Sequence, residues 1–495
     1  MISFDEYRGH DAVGLARLVA SGELQASELL DAAISRADEV NGKLNAIVTP
    51  MHALARERAQ GKRHGPLAGV PFLLKDLRQD YAGVVTTNGC KALKAGGRKA
   101  QAHSSITARW LDAGLVVMGK TNTSEFGAKG TTEPDAWGPT RNPWDTTLSA
   151  GGSSGGACAA VSAGIVPVAG ASDAGGSIRI PASYCGLFGL KPGRGRTPMG
   201  PAVAEIMHGA AAQHVVSRSV RDSAACLDAT HGHEPNSPFR IAAPERPYRD
   251  EIERDCEPLR IALSHRSSVT SFVDAEAVRA VEQAGELLQT LGHHVEWAEP
   301  HIDGAQMGRD FTNIWFAYCA SMVRQIKREL GADDTGFEPD TLIMAAFGRA
   351  MPATDYVESY MRLNEYSRAL GEFHQRYDVL ITPTVAMQAP RIGELATPRS
   401  QQRLLKALDM LGLTRAVLHS AIVRRVVLKN LARVPYTQLA NLTGVPSMSV
   451  PLHWGDDQLP WGVQFVASHG TEGMLFRLAA QLERAKPWFD RVPVL

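Results

Sequence analysis

The sequence predicts an α/β protein of layered strands and helices. Three observations predict it. Short apolar runs of strand length recur along the chain, as in "GVPFLLKD", "GLVVMGK", "CGLFGLKP" and "DVLITPT". Stretches with helical periodicity alternate with them, the pattern of a layered α/β protein. No internal repeat and no low-complexity linker interrupts the 495 residues, so residues 1–495 read as one intertwined domain.

The elements follow in order. In "ASELLDAAISRADEV", Leu29, Leu30, Ala33, Ile34, Ala37 and Val40 share one helical face, and Ser27 is the predicted N-cap. A buried strand then ends at Lys75, and another runs from Leu115 to Met118. Helices are predicted at Ala157 to Ala163 and Ser219 to Leu227, and further strands in "CGLFGLKPG" and "YDVLITPTV". The lysine- and serine-bearing motifs occupy residues 65–230. Residues from about 305 to 435 are largely helical in pattern and are predicted to form a layer covering a pocket. Residues 436–495 return to turns and strands and close with an amphipathic helix, "EGMLFRLAAQLERA".

Composition narrows the function classes. Apolar residues are 44% and charged residues 21%, an ordinary globular balance that excludes wholesale disorder. Lys plus Arg equals Asp plus Glu, 52 each, so no electrostatic argument favours nucleic acid or an anionic membrane as partner. No apolar run of about 18 residues is present, so no membrane span is expected. The opening "MISFDEYRGHDAVG" lacks a basic segment followed by an apolar one, so no signal peptide is expected. The six cysteines form no C-x-x-C pair and read as free thiols in a reducing compartment; a cytoplasmic location is expected.

Several motifs match a pattern without its context. Residues 114–121, "GLVVMGKT", fit the phosphate-loop spacing, but Leu, Val, Val and Met at the variable positions belong inside a strand. Residues 151–155, "GGSSG", fit the nucleophile elbow, with Asp378 and His453 available downstream. An elbow serine follows a buried strand, whereas "NPWDTTLSA" is a polar, proline-containing loop. No serine has a lysine at S-x-x-K spacing, no metal-ligand spacing is present, and neither metal nor cofactor is expected.

What remains is a serine hydrolase without a histidine. A serine hydroxyl needs a base, and lysine can serve where burial destabilises its ammonium. Lys75 closes the apolar strand "VPFLL", a desolvating position; the competing reading is a surface pair with Asp76. In "DAGGSIR" two glycines let the backbone turn sharply, so that the amides of Ala174, Gly175, Gly176 and Ser177 can converge on an oxyanion. The competing reading is a tight surface turn.

Together these motifs resemble the amidase signature family. The serine-rich motif is "GGSSGGACAAVSAG", the nucleophile motif "ASDAGGSIRIPA" and the lysine motif "GVPFLLKD". The resemblance extends through "GKTNTSEFG", "GPTRNPWD", "SRSVRDSA" and the closing "NLTGVPSMSVPL", nearly the whole chain. It implies the amidase signature fold, α/β with a large mixed β-sheet sandwiched between helical layers, and hydrolysis of amide C–N bonds through an acyl-enzyme. By resemblance Ser177 is the nucleophile, Ser153 a bridging serine after a cis peptide bond, and Lys75 the base. Ser154 resembles the residue that hydrogen-bonds this relay. Asp173 and Arg179 match structural positions flanking the nucleophile. "ASD" stands where "GTD" is usual, a departure that touches no triad member.

Among stand-alone bacterial amidases the wording is most similar to the branch that contains cyclic-dimer hydrolases. The family's pocket walls imply Phe126, Thr131, Trp137, Trp315, Phe316, Cys319, Tyr436 and Asn441 as candidate substrate contacts. Trp315, Phe316 and Cys319 fall on one helix face, and an apolar pocket for an aryl, alkyl or cyclic small-molecule amide is expected. Carbamate or ester hydrolysis with the same triad is one alternative. The A subunit of a tRNA-dependent amidotransferase is another, which the balanced charge and the "ASDAGGS" and "QFVA" wording oppose. Homodimers are common in the family, so a homodimer is an expectation of kinship only.

Overall fold

The apolar runs become strands of one mixed sheet in a computed structural model that describes residues 2–61, 64–235, 237–267, 269–417, 420 and 431–495. The strands are β1 (Ile47–Pro50), β2 (Pro71–Lys75), β3 (Val116–Thr121), β4 (Val168–Asp173), β5 (Phe188–Lys191), β6 (Ala212–Ser217), β7 (Arg260–Leu263), β8 (His294–Trp297), β9 (Val379–Pro383), β10 (Ser447–Trp454) and β11 (Pro460–Ala467). Their order across the sheet is β1-β3-β2-β4-β6-β5-β10-β11-β9-β7-β8. β2 runs parallel to both β3 and β4, and β7 parallel to β8 and β9; the remaining pairs are antiparallel. Strands β2, β3, β5, β6, β9 and β11 are buried at every position. Such strands lack period-two alternation because helices cover both faces.

The helix Ala26–Leu44 buries Leu29, Leu30, Ala33, Ile34, Ala37 and Val40, the face its periodicity predicts. Its cap is Gln25, not Ser27. Gln25 and Glu28 form a reciprocal capping box, with Gln25 N–H donating to Glu28 Oε2 at 3.0 Å. Ser27 lies in the first turn. Strand β3 continues past Met118 because Lys120 and Thr121 pair with β1 and β2 and are fully buried. The helices Gly155–Ser162 and Val220–Thr230 stand where expected, the second capped by Ser219.

The later region holds the helices Gly304–Leu330, Pro339–Ala350, Ala353–His374, Arg399–Met410 and Thr414–Val417, with β9 interposed. The helical run predicted across residues 418, 419 and 421–430 lies outside the described residues. The helices Gly304–Leu330 and Ala353–His374 pack over β7, β9 and β11 through Ile314, Trp315, Cys319, Leu363 and Leu370 against Ala262, Leu380 and Val466. Among the described residues, no helix is long and apolar enough to cross a membrane.

Candidate active site

β2 and β4 are parallel neighbours, so their carboxyl ends lie side by side. β2 ends at Lys75, and β4 ends at Ser172 and Asp173. The space beyond carboxyl strand ends is where open α/β sheets place their ligands. Lys75 is fully buried, and four oxygens surround its amine: Ser153 Oγ at 2.7 Å, Ser154 Oγ at 2.8 Å, Ser172 Oγ at 3.0 Å and Ser172 O at 3.5 Å. Burial pulls its pKa down to about 7, against the opposing attraction of Asp173. A surface pair with Asp76 is not formed: Asp76 is itself buried and accepts from Thr87 N–H at 3.0 Å. The strand end holds its shape through Gln79, which accepts from Lys75 N–H at 2.6 Å and donates to Ala171 O at 3.1 Å.

Ser153 and Ser154 precede the helix Gly155–Ser162. The peptide bond between Gly152 and Ser153 is cis. Gly152 lies so close to the Thr131 backbone that a Cβ there would come within 2.5 Å of its carbonyl oxygen. Thr132 Oγ1 braces the turn, donating to Ser153 O at 3.3 Å and accepting from Gly155 N–H at 3.1 Å. Ser154 Oγ donates to Ser172 O at 3.2 Å. The helix turns its positive end toward these hydroxyls, which disfavours an ammonium beside them.

The glycine turn after β4 is anchored from below. Asp173 and Arg179 form a two-pronged ion pair, both contacts at 3.0 Å, with both side chains fully buried. Burial opposes the Asp173 charge, but Arg179 beside it holds its carboxyl well below the usual carboxylate range. Gly176 N–H donates to Asp173 Oδ1 at 2.7 Å. Of the four amides expected to form the cradle, those of Ala174, Gly175, Gly176 and Ser177, that of Gly176 is therefore already engaged. Gly176 also needs its missing side chain: at φ +125° a Cβ would press within 2.4 Å of Thr437 Oγ1. Thr437 and Gln438 grip the turn from outside through Gly175 O, at 2.7 Å and 3.3 Å.

A cavity of about 570 Å³ opens onto Ser177. Thr131, Trp315 and Phe316 line it, as the sequence predicts, with Phe311, Ile343, Met344 and Phe347 extending the apolar wall. Glu133, Lys129, Asp340 and Arg433 supply a polar side. The other five predicted wall residues are placed elsewhere. Asn441 is buried in the scaffold, accepting from Arg179 Nη2 at 2.6 Å and donating to Asp173 Oδ1 at 2.9 Å. Tyr436 donates its hydroxyl to His265 O at 2.8 Å. Trp137 hydrogen-bonds Thr87 Oγ1 at 3.0 Å beneath the Lys94 ammonium. Cys319 is fully buried in the core below Trp315. Phe126 packs on Phe337 and reaches only a smaller chamber, of about 40 Å³, that also touches Ser153 and Ser177.

Sequence reasoning missed Ser172 as a lysine contact, although it is one of the two residues, with Ala171, at which the motif departs from its commonest form. It also missed Thr132, Thr437 and Gln438, whose roles depend on distant loops and carry no local signal.

The motifs set aside behave as their contexts predict. Gly119 and Lys120 of "GLVVMGKT" lie within β3, and Lys120 bonds Thr86 Oγ1. His453 contacts Gln283 and Glu276, at 3.1 and 2.6 Å, and Asp378 accepts from Arg260 N–H at 2.7 Å; neither joins Ser153. All six cysteines are free. Among the described residues, no cluster of His, Cys, Asp or Glu is arranged to hold a metal ion.

The family model described as Amidase matches residues 28–476, and the chain belongs to the amidase signature family. It is a hydrolase acting on carbon–nitrogen bonds other than peptide bonds. Among particular proteins, the chain is 39% identical to a 6-aminohexanoate-cyclic-dimer hydrolase of Pseudomonas sp. (strain NK87), over 98% of this chain and 96% of that protein. The structure of 6-aminohexanoate cyclic dimer hydrolase complexed with substrate superposes with a TM-score of 0.88 at 36% identity, covering 98% of this chain and 99% of the other. That of a bacterial aryl acylamidase of the amidase signature family superposes with a TM-score of 0.84 at 25% identity, covering 97% and 98%.

Proposed function

We propose that this amidase cleaves small to medium, apolar amides through a Ser177–Ser153–Lys75 relay and an acyl-enzyme. The observation that carries the reading is the buried Lys75 amine, shifted to a pKa of about 7 and 2.7 Å from Ser153 Oγ. A neutral amine keeps a lone pair that can accept the Ser153 proton; an ammonium cannot. Ser177 attacks the amide carbon while its proton passes through Ser153 to Lys75. The developing oxyanion meets the free amides of the glycine turn, with Ala174, Gly175 and Ser177 as donors. The proton returns along the relay to the leaving nitrogen, the C–N bond breaks, and water then releases the acid from Ser177.

The substrate class follows from the cavity. Its volume of about 570 Å³ lies within the usual range for small-molecule sites. Phe311, Trp315, Phe316 and Phe347 suit aryl, alkyl or cyclic and oligomeric amides better than acetamide. The kinship with a cyclic-dimer hydrolase and an aryl acylamidase supports the same class.

Labelling with a fluorophosphonate, followed by peptide mapping, tests the assignment. The label is expected on Ser177. A label on Ser153 would overturn the relay as drawn. Replacing Ser177 by Ala is expected to lower kcat by several orders of magnitude, as removal of a serine nucleophile does elsewhere.

A further inference from the structure

The smaller chamber, about 40 Å³, also reaches Ser177, which lines the substrate cavity as well. Gly127, Ala174, Ser177 and Trp315 line both spaces, so the nucleophile stands at their junction. The chamber is too small for an amide with an aryl or alkyl chain. It has room for a few water molecules, since one needs roughly 10–15 Å³ on this measure.

Two of its walls carry polar atoms with no protein partner. Gln213, on β6 and 98% buried, leaves its side-chain oxygen without a hydrogen bond. Its amide nitrogen faces the Met199 sulfur at 3.8 Å, a weak acceptor, which turns the oxygen end away from Met199. Trp315, 91% buried, leaves its indole N–H without an acceptor. Neither has a partner among the described residues. Buried polar groups without protein partners are ordinarily satisfied by ordered water. One acceptor and one donor on a wall shared with Ser153 and Ser177 match what a single water molecule offers.

We propose that Gln213 and Trp315 position the water that hydrolyses the acyl-enzyme. The inference rests on the Ser177 acyl-enzyme reading above. Gln213 Oε1 accepts one water proton, and the Trp315 N–H donates to the water oxygen. The remaining water proton passes through Ser153 to Lys75 as the oxygen attacks the acyl carbon. The bond from that carbon to Ser177 Oγ then breaks, Ser177 recovers the proton from the relay, and the carboxylic acid leaves. In this step Gln213 and Trp315 are positioning residues that act through the water, although Trp315 also lines the substrate cavity.

The test uses Gln213→Leu and Trp315→Phe, each with an activated aryl ester or anilide, in stopped-flow assays with and without hydroxylamine. Deacylation, and with it steady-state kcat, is expected to fall about tenfold in each variant, the worth of one lost hydrogen bond. In Gln213→Leu, which leaves the substrate-cavity wall intact, the acylation burst is expected to keep its rate and to grow in amplitude. Hydroxylamine can approach from the large cavity, so the ratio of hydroxamate to acid is expected to rise by a similar factor. An unchanged ratio with burst and steady-state rates falling together would overturn the proposal. Intact-mass detection of the acylated protein separates the failures. Acyl-Ser177 with an unchanged ratio removes the water site alone, whereas no acyl-Ser177 in the parent enzyme removes the underlying reading.

Discussion

On the proposed relay, Lys75 makes the site sensitive to pH at a single atom. Its amine is neutral above a pKa of about 7 and charged below it. As a base it works only when neutral, so kcat/KM is expected to fall as pH drops through about 7, measured as the acid limb of the pH profile. A limb near the ordinary carboxylate range would discard Lys75 as the base. Ser172→Ala removes an oxygen that stabilises the ammonium more than the amine, so the limb is expected to move to lower pH. Lys191 is a second buried lysine with a pKa drawn down to about 7, first by burial and then by Arg179, and its amine donates to Pro192 O at 2.8 Å. From about 7 to about 10.5 the unfolded chain holds a proton on this lysine that the folded chain does not, so stability from this group rises with pH across that window. Lys191→Met removes that dependence. Its stability advantage over the parent, measured by denaturant unfolding, is expected to shrink as pH rises from 7 to 10.

At the scale of elements, the glycine turn after β4 is rigid because buried charge sits under it. Arg179 begins a short helix, Asp173 ends β4, Asn441 comes from the helix Gln438–Thr443 and Gln464 from β11; Arg179 touches all three partners. Arg179→Met is expected to cost about 3–5 kcal/mol, because it strands the Asp173 carboxylate in the interior. A loss under about 1 kcal/mol by chemical denaturation would show the network to be dispensable. Phe316 tests whether this helical layer bears on specificity. It projects from the helix Gly304–Leu330 into the cavity wall and packs on Phe347. Phe316→Ala is expected to raise KM for aryl and cyclic amides several-fold more than for acetamide, and an equal rise for all three would remove it from substrate selection.

The whole molecule is threaded through its sheet. β10 and β11, near the end of the chain, separate β5 from β9, and the Asp173 network joins residues 262 and 268 positions apart. We infer one cooperative unit, and a single calorimetric transition with equal calorimetric and van't Hoff enthalpies is the expected outcome; two separated transitions would divide the chain.

Much of this was legible because it is local. Apolar runs bounded by turn residues marked the strands, and the glycine-flanked serines with a lysine at a strand end marked the chemistry. Lys75, Ser153 and Ser154 needed only their motifs, which a backbone turn and a desolvated strand end explain. The pocket was less legible. Trp315 and Phe316 reach the cavity, but Cys319, on the same predicted face, points into the core, and Asn441 and Tyr436 are held by buried hydrogen bonds. Helical spacing says which side chains are neighbours, while packing decides which neighbour meets the cavity. The Gln25 cap, the engaged Gly176 amide and the unpaired Gln213 oxygen likewise depend on partners that local pattern does not name. The sequence by itself determined the fold class and the family and singled out the residues proposed to carry the chemistry, because each is written in short-range pattern. Only the tertiary structure decided the burial of Lys75, the engagement of the Gly176 amide and the cavity walls, because burial and hydrogen bonding are properties of segments brought together from across the chain.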